Sequence, residues 1–299
     1  MNNTIFQQSS LVYYNSNVFT GSRVYPQTNL NRFTQGLIFN PNSILNLSYW
    51  FDASVSSSMV VDSTSSIRTW YSISTVNSPP TNIRNVLTMT GPTTSNRGLY
   101  APNSLNGLGG VNLSTSVLLT GTLTNQAQNL YYYNNTVTNN SEFTNICVIN
   151  RLASGFPSVA QAPIHFVQTG GNVRIGVNAD RFVYNGPQLS QTLFITAALC
   201  NTPTIYTATR NGGTMTTRLN GVITTANFTS EPFGTRNFQF MFGTNIYSEF
   251  YQGNLHEFVQ YQRALSSDEI FKLEGYVAWK WNIQTSLPSS HPFRYTPPY

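Results

Sequence analysis

The sequence predicts an all-β domain closed by a single C-terminal helix. Three observations carry this. Short apolar segments recur between Gly, Pro and Asn clusters from about residue 41 onward, with almost no helical periodicity until the end. Asn-Gly pairs at Asn106-Gly107 and Asn220-Gly221 punctuate those segments as tight turns do. One capped amphipathic segment follows residue 265 and ends in Trp279-Lys280-Trp281. A chain of 299 residues buries a sizeable core without a disulfide or metal staple.

Residues 1–40 are polar and Asn/Gln-rich, with scattered aromatics at Phe6, Tyr13, Tyr14, Phe19, Tyr25 and Phe33. They read either as a partly disordered leader or as an arm that orders against a neighbouring subunit. The arm is favoured, because a solvated tail gains nothing from that many aromatics. Residues 41–299 show no internal repeat or linker and read as one domain.

Within it, Pro41 to Asp52 turns and then alternates, placing Leu45, Leu47, Tyr49 and Phe51 on one face of a strand. A short pair follows at Met59–Val61 and Ile67–Tyr71; Ser78-Pro79-Pro80 interrupts, and Val86–Met89 resumes. Gly109-Gly110 is read as a turn before Val111–Leu113. Further strands are expected at Phe143–Leu152, Ile164–Val167, Val173–Val177 and Phe182–Tyr184. Leu193–Leu199 is the most continuous apolar run and is expected to be a central strand. Ile205–Arg210 and Met215–Leu219 form a hairpin across Asn211-Gly212-Gly213, and Val222–Thr224 follows Asn220-Gly221. In the helix, Ser266 and Glu269 make a capping box, and Ile270, Leu273, Val277 and Trp281 form one apolar stripe. Asp268 and Glu269 suit the positive end of the helix and Lys280 the negative end. The tail from Ser286 to Tyr299 is expected to run extended along the sandwich.

Only 8% of residues are charged, against about 25% in typical domains. Lys occurs only at Lys272 and Lys280; Asn, Thr, Ser and Gln supply the polarity. Two readings stand side by side: a neutral exposed surface, or a surface covered in an assembly, where unpaired charge is costly. The net charge of +5 is dispersed with no Lys/Arg run, so no nucleic-acid partner is expected. The first residues, MNNTIFQQSSLVYY, have neither a basic n-region nor an apolar h-region, so no secretory signal peptide is expected. No stretch is apolar enough for a membrane span. Cys147 and Cys200 lie in apolar runs and are read as buried free thiols ahead of a disulfide.

Catalytic and metal constellations are lacking. His165, His256 and His291 are isolated from any Ser or Cys motif and are read as structural. Asp52, Asp62 and Asp180 are the loop-like Asp residues, and no Asp-x-Asp spacing joins them into a calcium site. No metal and no cofactor is expected. Tyr131-Tyr132-Tyr133 reads as a sugar-stacking platform or an interface patch, unless alternate members face the core. Triplets such as Asn46-Leu47-Ser48 and Asn227-Phe228-Thr229 are expected by chance in so Asn-, Ser- and Thr-rich a chain.

The ending resembles the C-terminal signature of concanavalin A-like (laminin G-like) jelly-roll domains, found in bacterial surface proteins and large DNA viruses. The carriers are Glu274-Gly275-Tyr276, Ala278-Trp279-Lys280-Trp281 and the Leu287-Pro288 to His291-Pro292-Phe293 clasp. Upstream, Tyr49-Trp50-Phe51-Asp52-Ala53-Ser54 resembles the family's opening strand, and Ser65–Trp70 the strand after it. Leu105-Asn106-Gly107 and Arg218-Leu219-Asn220-Gly221 resemble its hairpins, and Gly253–Tyr261 its Glu-bearing closing strand. The likeness spans about residues 41–293. It implies an antiparallel β-sandwich whose signature residues, Trp50, Asp52, Trp70, Glu257, Glu274, Gly275, Trp279, Trp281, His291 and Pro292, fasten the fold. Glucanases on this sandwich carry a Glu-x-Asp-x-Glu strand, which is absent here, so no catalytic residue and no enzyme activity is expected. The virus-like form of the resemblance, the sparse charge and the aromatic arm imply a structural virion component, a minor capsid or surface protein. Its partners would be other virion proteins, with residues 1–40 as the expected contact. The alternative is a glycan-binding adhesion module on the same sandwich, with no ligand-binding residue singled out.

Overall fold

The computed structural model describes residues 39–73, 86–88, 98–113, 130–137, 142–151, 161–168, 171–178, 181–185, 192–197, 201–211, 214–227, 236–242, 251–261 and 263–299. The expected arm, Ser78-Pro79-Pro80, Asp180 and Cys200 lie outside them. Strands are numbered in chain order. One antiparallel sheet runs β15 (Val222–Asn227), β14 (Thr214–Leu219), β13 (Thr204–Asn211), β8 (Glu142–Arg151), β17 (Gly253–Tyr261), β6 (Leu108–Asn112) and β5 (Leu99–Leu105). Its eighth strand, β1 (Leu47–Asp52), shares an edge of β17 with β6: β6 pairs Asn254 and Leu255, and β1 pairs from Glu257 to Tyr261. The other sheet runs β12 (Thr192–Ala197), β11 (Arg181–Asn185), β10 (Gly171–Asn178), β9 (Gln161–Gln168), β16 (Arg236–Phe242), β7 (Leu130–Val137), β4 (Val86–Thr88), β3 (Ile67–Tyr71) and β2 (Met59–Val61). This is the expected all-β sandwich with one C-terminal helix, α1 (Ser267–Lys280).

The turns follow from local chemistry. Asn106 and Gly107 have φ of 48° and 84°, and Asn220 and Gly221 of 49° and 82°. Positive φ at both central residues is what a type I′ hairpin demands and Asn-Gly tolerates. The helix opens on the expected capping box: the Glu269 amide donates to Ser266 Oγ at 3.4 Å, and the Ser266 amide donates to Glu269 Oε2 at 2.9 Å. Arg263 donates to both Glu269 oxygens, at 3.0 and 2.5 Å, and holds that carboxyl down to about 2.

Three layers result. Ile270, Leu273, Val277 and Trp281 of the helical stripe pack with Leu47, Trp50, Ile146, Val148, Ile205, Val259 and Tyr261 of the eight-stranded sheet. On the opposite side of β1, the Phe51 ring meets Trp70 of the second sheet edge-on at 5.5 Å. The eight-stranded sheet is thus covered on both faces, so β1 and most of β8, β13 and β17 are buried at successive positions rather than alternate ones.

Four local expectations are corrected. Leu45 is 78% exposed in a turn, and a register shift between Leu47 and Tyr49 puts Leu47 with the helix while Tyr49 stacks on Phe51. A bulge breaks the alternation. Gly109-Gly110 is no turn but lies within β6. A Cβ on Gly109 would come 2.5 Å from the Ala53 carbonyl, and one on Gly110 would come 2.6 Å from Ser104 Cβ, so close approach explains both glycines. Of the Leu193–Leu199 run, residues 193–197 lie in β12, the end strand of its sheet rather than a central one, and β12 lies against β14 of the other sheet; apolar continuity does not set a strand's place in the sheet order. The tail folds into turns rather than running extended: Gln284–Ser286 is a 3-10 turn, and the His291 amide donates to the Pro288 carbonyl at 2.9 Å.

Candidate functional site

The signature residues gather into two buried polar networks under α1. In the first, Glu257 of β17 accepts three hydrogen bonds: Trp50 Nε1 to Oε1 at 2.7 Å, and Trp281 Nε1 at 2.6 Å and Lys280 Nζ at 2.8 Å to Oε2. Lys280 also pairs with Asp52 Oδ2, and Asp52 Oδ1 is held by the Ser54 amide at 2.9 Å and hydroxyl at 2.6 Å. The Lys280 ammonium sits 5.2 Å from the Trp281 ring and 5.5 Å from Tyr276. Burial pushes the Glu257 carboxyl upward while Lys280 pulls it back; three donors and no acceptor around its oxygens favour the carboxylate. Burial lowers the Lys280 ammonium, but Asp52 and Glu257 more than offset this and hold it above its ordinary range. Lys280 therefore does more than face a helix terminus: it bridges two buried carboxylates.

In the second network, Glu274 of α1 accepts from Arg218 Nε at 2.8 Å and Thr207 Oγ1 at 2.9 Å, and lies 3.2 Å from His291 Nε2. The Phe293 amide donates to His291 Nδ1 at 3.2 Å, so Nε2 carries the proton that reaches Glu274. Trp279 Nε1 donates to the Phe293 carbonyl at 2.8 Å. A Cβ on Gly275 would stand 2.5 Å from Phe293 Cβ, which explains a glycine inside the helix. Asn106 Nδ2 donates to the Trp281 carbonyl at 2.6 Å and so caps the C-terminus of α1 from the β5–β6 turn. Trp70 belongs to neither network; it fills the space between the sheets. Pro292 is exposed beside the clasp.

His256, at the junction of β6 and β1 on β17, is fully buried against Trp281 at 5.1 Å, and neither ring nitrogen has a hydrogen-bond partner of normal geometry. Burial holds it down to about 4 from 6.5, opposed only weakly by the neighbouring Gly109 backbone. The folded state therefore takes up its proton later than the unfolded chain. Stability is full above about pH 6.5 and falls toward pH 4, by on the order of 3 kcal/mol in total. Thermal melts of wild type and His256→Leu across that window should show the decline flattened in the variant; parallel curves would exclude His256 as its source. Glu257, shifted upward, acts in the opposite sense in both proteins.

These networks use Asp52, Glu257 and Glu274 internally, and Glu269 is tied to Arg263. Among the described residues no three of His, Cys, Asp and Glu come together as a metal site would need. Cys147 is a buried free thiol that burial pushes far up, hence inert.

The outer face of the eight-stranded sheet is taken by α1. Directly paired residues of an antiparallel sheet share a side. One row of pairs runs Met59, Trp70, Leu87, Tyr132, Phe240, Phe166, Val173. Trp70 marks it as the core row. The adjacent row runs Val60, Thr69, Thr88, Tyr131, Met241, His165, Arg174, Asn185, Thr192. It lies on the side of the sheet opposite Trp70, and its edge residue Val60 is 44% exposed, so it is the outward row. Register thus divides the Tyr131-Tyr132-Tyr133 run, with Tyr132 in the core row and Tyr131 in the outward one. Eight interstrand spacings of about 4.8 Å make the outward row roughly 38 Å long.

No protein-family model matches the chain, and no curated protein sequence does. Solved structures do. Domain 4 of the extracellular arabinanase AbnA of Geobacillus stearothermophilus, solved in complex with arabinotriose, is similar at a TM-score of 0.52 and 14% identity, over 77% of this chain and 98% of that domain. The binding domain of Paraclostridial Mosquitocidal Protein 1 is similar at a TM-score of 0.53 and 15% identity, over 80% of this chain and 53% of that one. At such identities the likeness is one of fold.

Proposed function

We propose that this chain is a non-catalytic recognition module that binds a glycan. The observation that carries the reading is the fold shared with nearly the whole of an arabinanase domain solved with arabinotriose. The binding-domain label of the second neighbour supports it as well. The internal use of Asp52, Glu257 and Glu274 supports the non-catalytic half, because a glycosidase needs two carboxyl groups free to face one scissile bond. The virion role implied by the resemblance draws no support from these neighbours. The test is a glycan array, run with calcium and with chelator, followed by calorimetry on the hits. Saturable binding of a defined oligosaccharide, left intact by the protein, is expected. An array without hits would sink the reading, and release of shorter sugars would reject its non-catalytic half.

A further inference from the structure

Asp52 of β1 and Glu257 of β17 are directly paired across the ladder, so their carboxyl groups stand on one side of the sheet. Lys280, in the last turn of α1, sets one nitrogen against both. Its Nζ donates to Glu257 Oε2 at 2.8 Å and pairs with Asp52 Oδ2. The rings of Trp281, Tyr276 and Trp50, centred 5.2, 5.5 and 6.0 Å from Nζ, screen the site from water. The two carboxyl groups are not equivalent. Both Glu257 oxygens are held by indole N–H groups, Oε1 by Trp50 and Oε2 by Trp281. Asp52 takes the Ser54 amide at 2.9 Å and the Ser54 hydroxyl at 2.6 Å on Oδ1, while its Oδ2 faces the lysine.

We propose that Lys280 and Asp52 condense into an amide, an intramolecular cross-link between α1 and β1, with Glu257 as the proton carrier. The step balances without any further reagent. The Lys280 ammonium gives one proton to Asp52 Oδ2, which neutralises both members of a poorly solvated pair. The amine attacks Cγ, and the negative charge that develops on Oδ1 meets the Ser54 amide and hydroxyl, placed as the donors of an oxyanion hole are. The attacking nitrogen then gives its surplus proton to Glu257 Oε2. Glu257 passes that proton to Oδ2, the Cγ–Oδ2 bond breaks and water leaves. One hydrogen stays on the amide nitrogen, two depart with the oxygen, and nothing is oxidised or reduced. Contact enforced by the fold takes the place of concentration, which is what amide formation in water lacks. Until the bond forms, the three groups rest as the ion-paired network described above. Glu257 acts once per chain, so the step is a maturation of the module and not turnover of a substrate. It ties the first strand of the sandwich to its helix across 228 positions, whether or not the chain binds a glycan.

Intact-mass spectrometry of the full chain tests this. Wild type should be lighter than its sequence by one water, about 18 Da, and Lys280→Met should keep its full mass. Trypsin should fail to cut after Lys280 and should release one branched peptide joining residues 33–68 to 273–294. Glu257→Gln, checked for folding by circular dichroism, should also keep its full mass. Ser54→Ala, at a half-exposed position, covers the case in which that variant does not fold. Translated in vitro and followed by mass, it should lose water at least about tenfold more slowly than wild type, since the amide alone remains on Oδ1. Folded wild type at its full sequence mass overturns the cross-link and leaves an ion pair. Loss of water without the branched peptide overturns it equally. A branch from 273–294 to 237–263 would put the bond on Glu257 and overturn the roles given to the two carboxyl groups. Closure of Ser54→Ala at the wild-type rate would overturn the oxyanion role of its hydroxyl.

Discussion

Lys280→Met is expected to destabilise the sandwich by about 3–5 kcal/mol, a fall in Tm of roughly 10 °C for a domain of this size. The Lys280 side chain is 15% exposed and those of Asp52 and Glu257 are 2% and 1% exposed, so the three charges share one poorly solvated space. Removing the ammonium leaves two carboxylates facing each other, with only the Trp50 and Trp281 indoles and the Ser54 amide and hydroxyl to hold them. Methionine keeps the stem volume, so the loss reads charge rather than packing. The pH dependence identifies the cause. Glu257 is already shifted upward from 4.5 by burial, and without Lys280 it rises further. A carboxyl raised in the folded state stabilises below its unfolded value and loses that contribution as pH rises through the folded one. The variant should therefore be closest to wild type near pH 4.5 and furthest from it at neutral pH. Urea unfolding at pH 4.5 and 7.5 measures this. A deficit below about 1 kcal/mol at both would mean that Lys280 is solvated enough to be an ordinary surface pair.

What could be read from the sequence was local. The Ser266–Glu269 box and both Asn-Gly turns follow from residues three or fewer apart, and each stands where expected. Lys280 was readable as a cation at a helix end, but its partner Asp52 is 228 positions away, and no spacing rule reaches that far. Alternation failed where a bulge reset the parity, as at Leu47, and a glycine pair gave no sign whether it turned the chain or let strands and side chains approach closely, as at Gly109-Gly110. The division of the second sheet into two faces was hidden for the same reason. Tyr131 and Tyr132 are equivalent until pairing ties one of them to Trp70 and the other to Val60. The shortage of acids was visible as composition. That it empties one whole sheet of carboxylate appears only once the strands are sorted between the two sheets.

Glu274→Gln should be nearly as damaging as the loss of Lys280, at about 3 kcal/mol or more. Glu274 is fully buried and receives Arg218, Thr207 and His291 at once. An amide has one accepting oxygen and a donating nitrogen, so one of these N–H or O–H groups must face another donor, while Arg218, 5% exposed, loses its counter-charge. Arg218 Nη2 also donates to the Gly221 carbonyl at 3.0 Å and its guanidinium lies 4.8 Å from the Phe271 ring, so the β14–β15 turn loosens with it. On the other side His291 loses the acceptor that orients it, and the clasp through Phe293 and Trp279 is left with backbone contacts. Trypsin should accordingly cut after Arg294 faster in the variant, at temperatures where the sandwich is still folded. Replacing both partners, Arg218→Met with Glu274→Leu, should recover most of the loss, since removing a whole buried pair costs far less than orphaning half of it. Both networks lie beneath α1 and use their polar groups internally. Glu274→Gln assayed below its Tm should therefore bind any glycan that the wild type binds with unchanged affinity. A parallel loss of binding would show that fastening and recognition share one surface and would move the search for the ligand to the helix side of the sandwich.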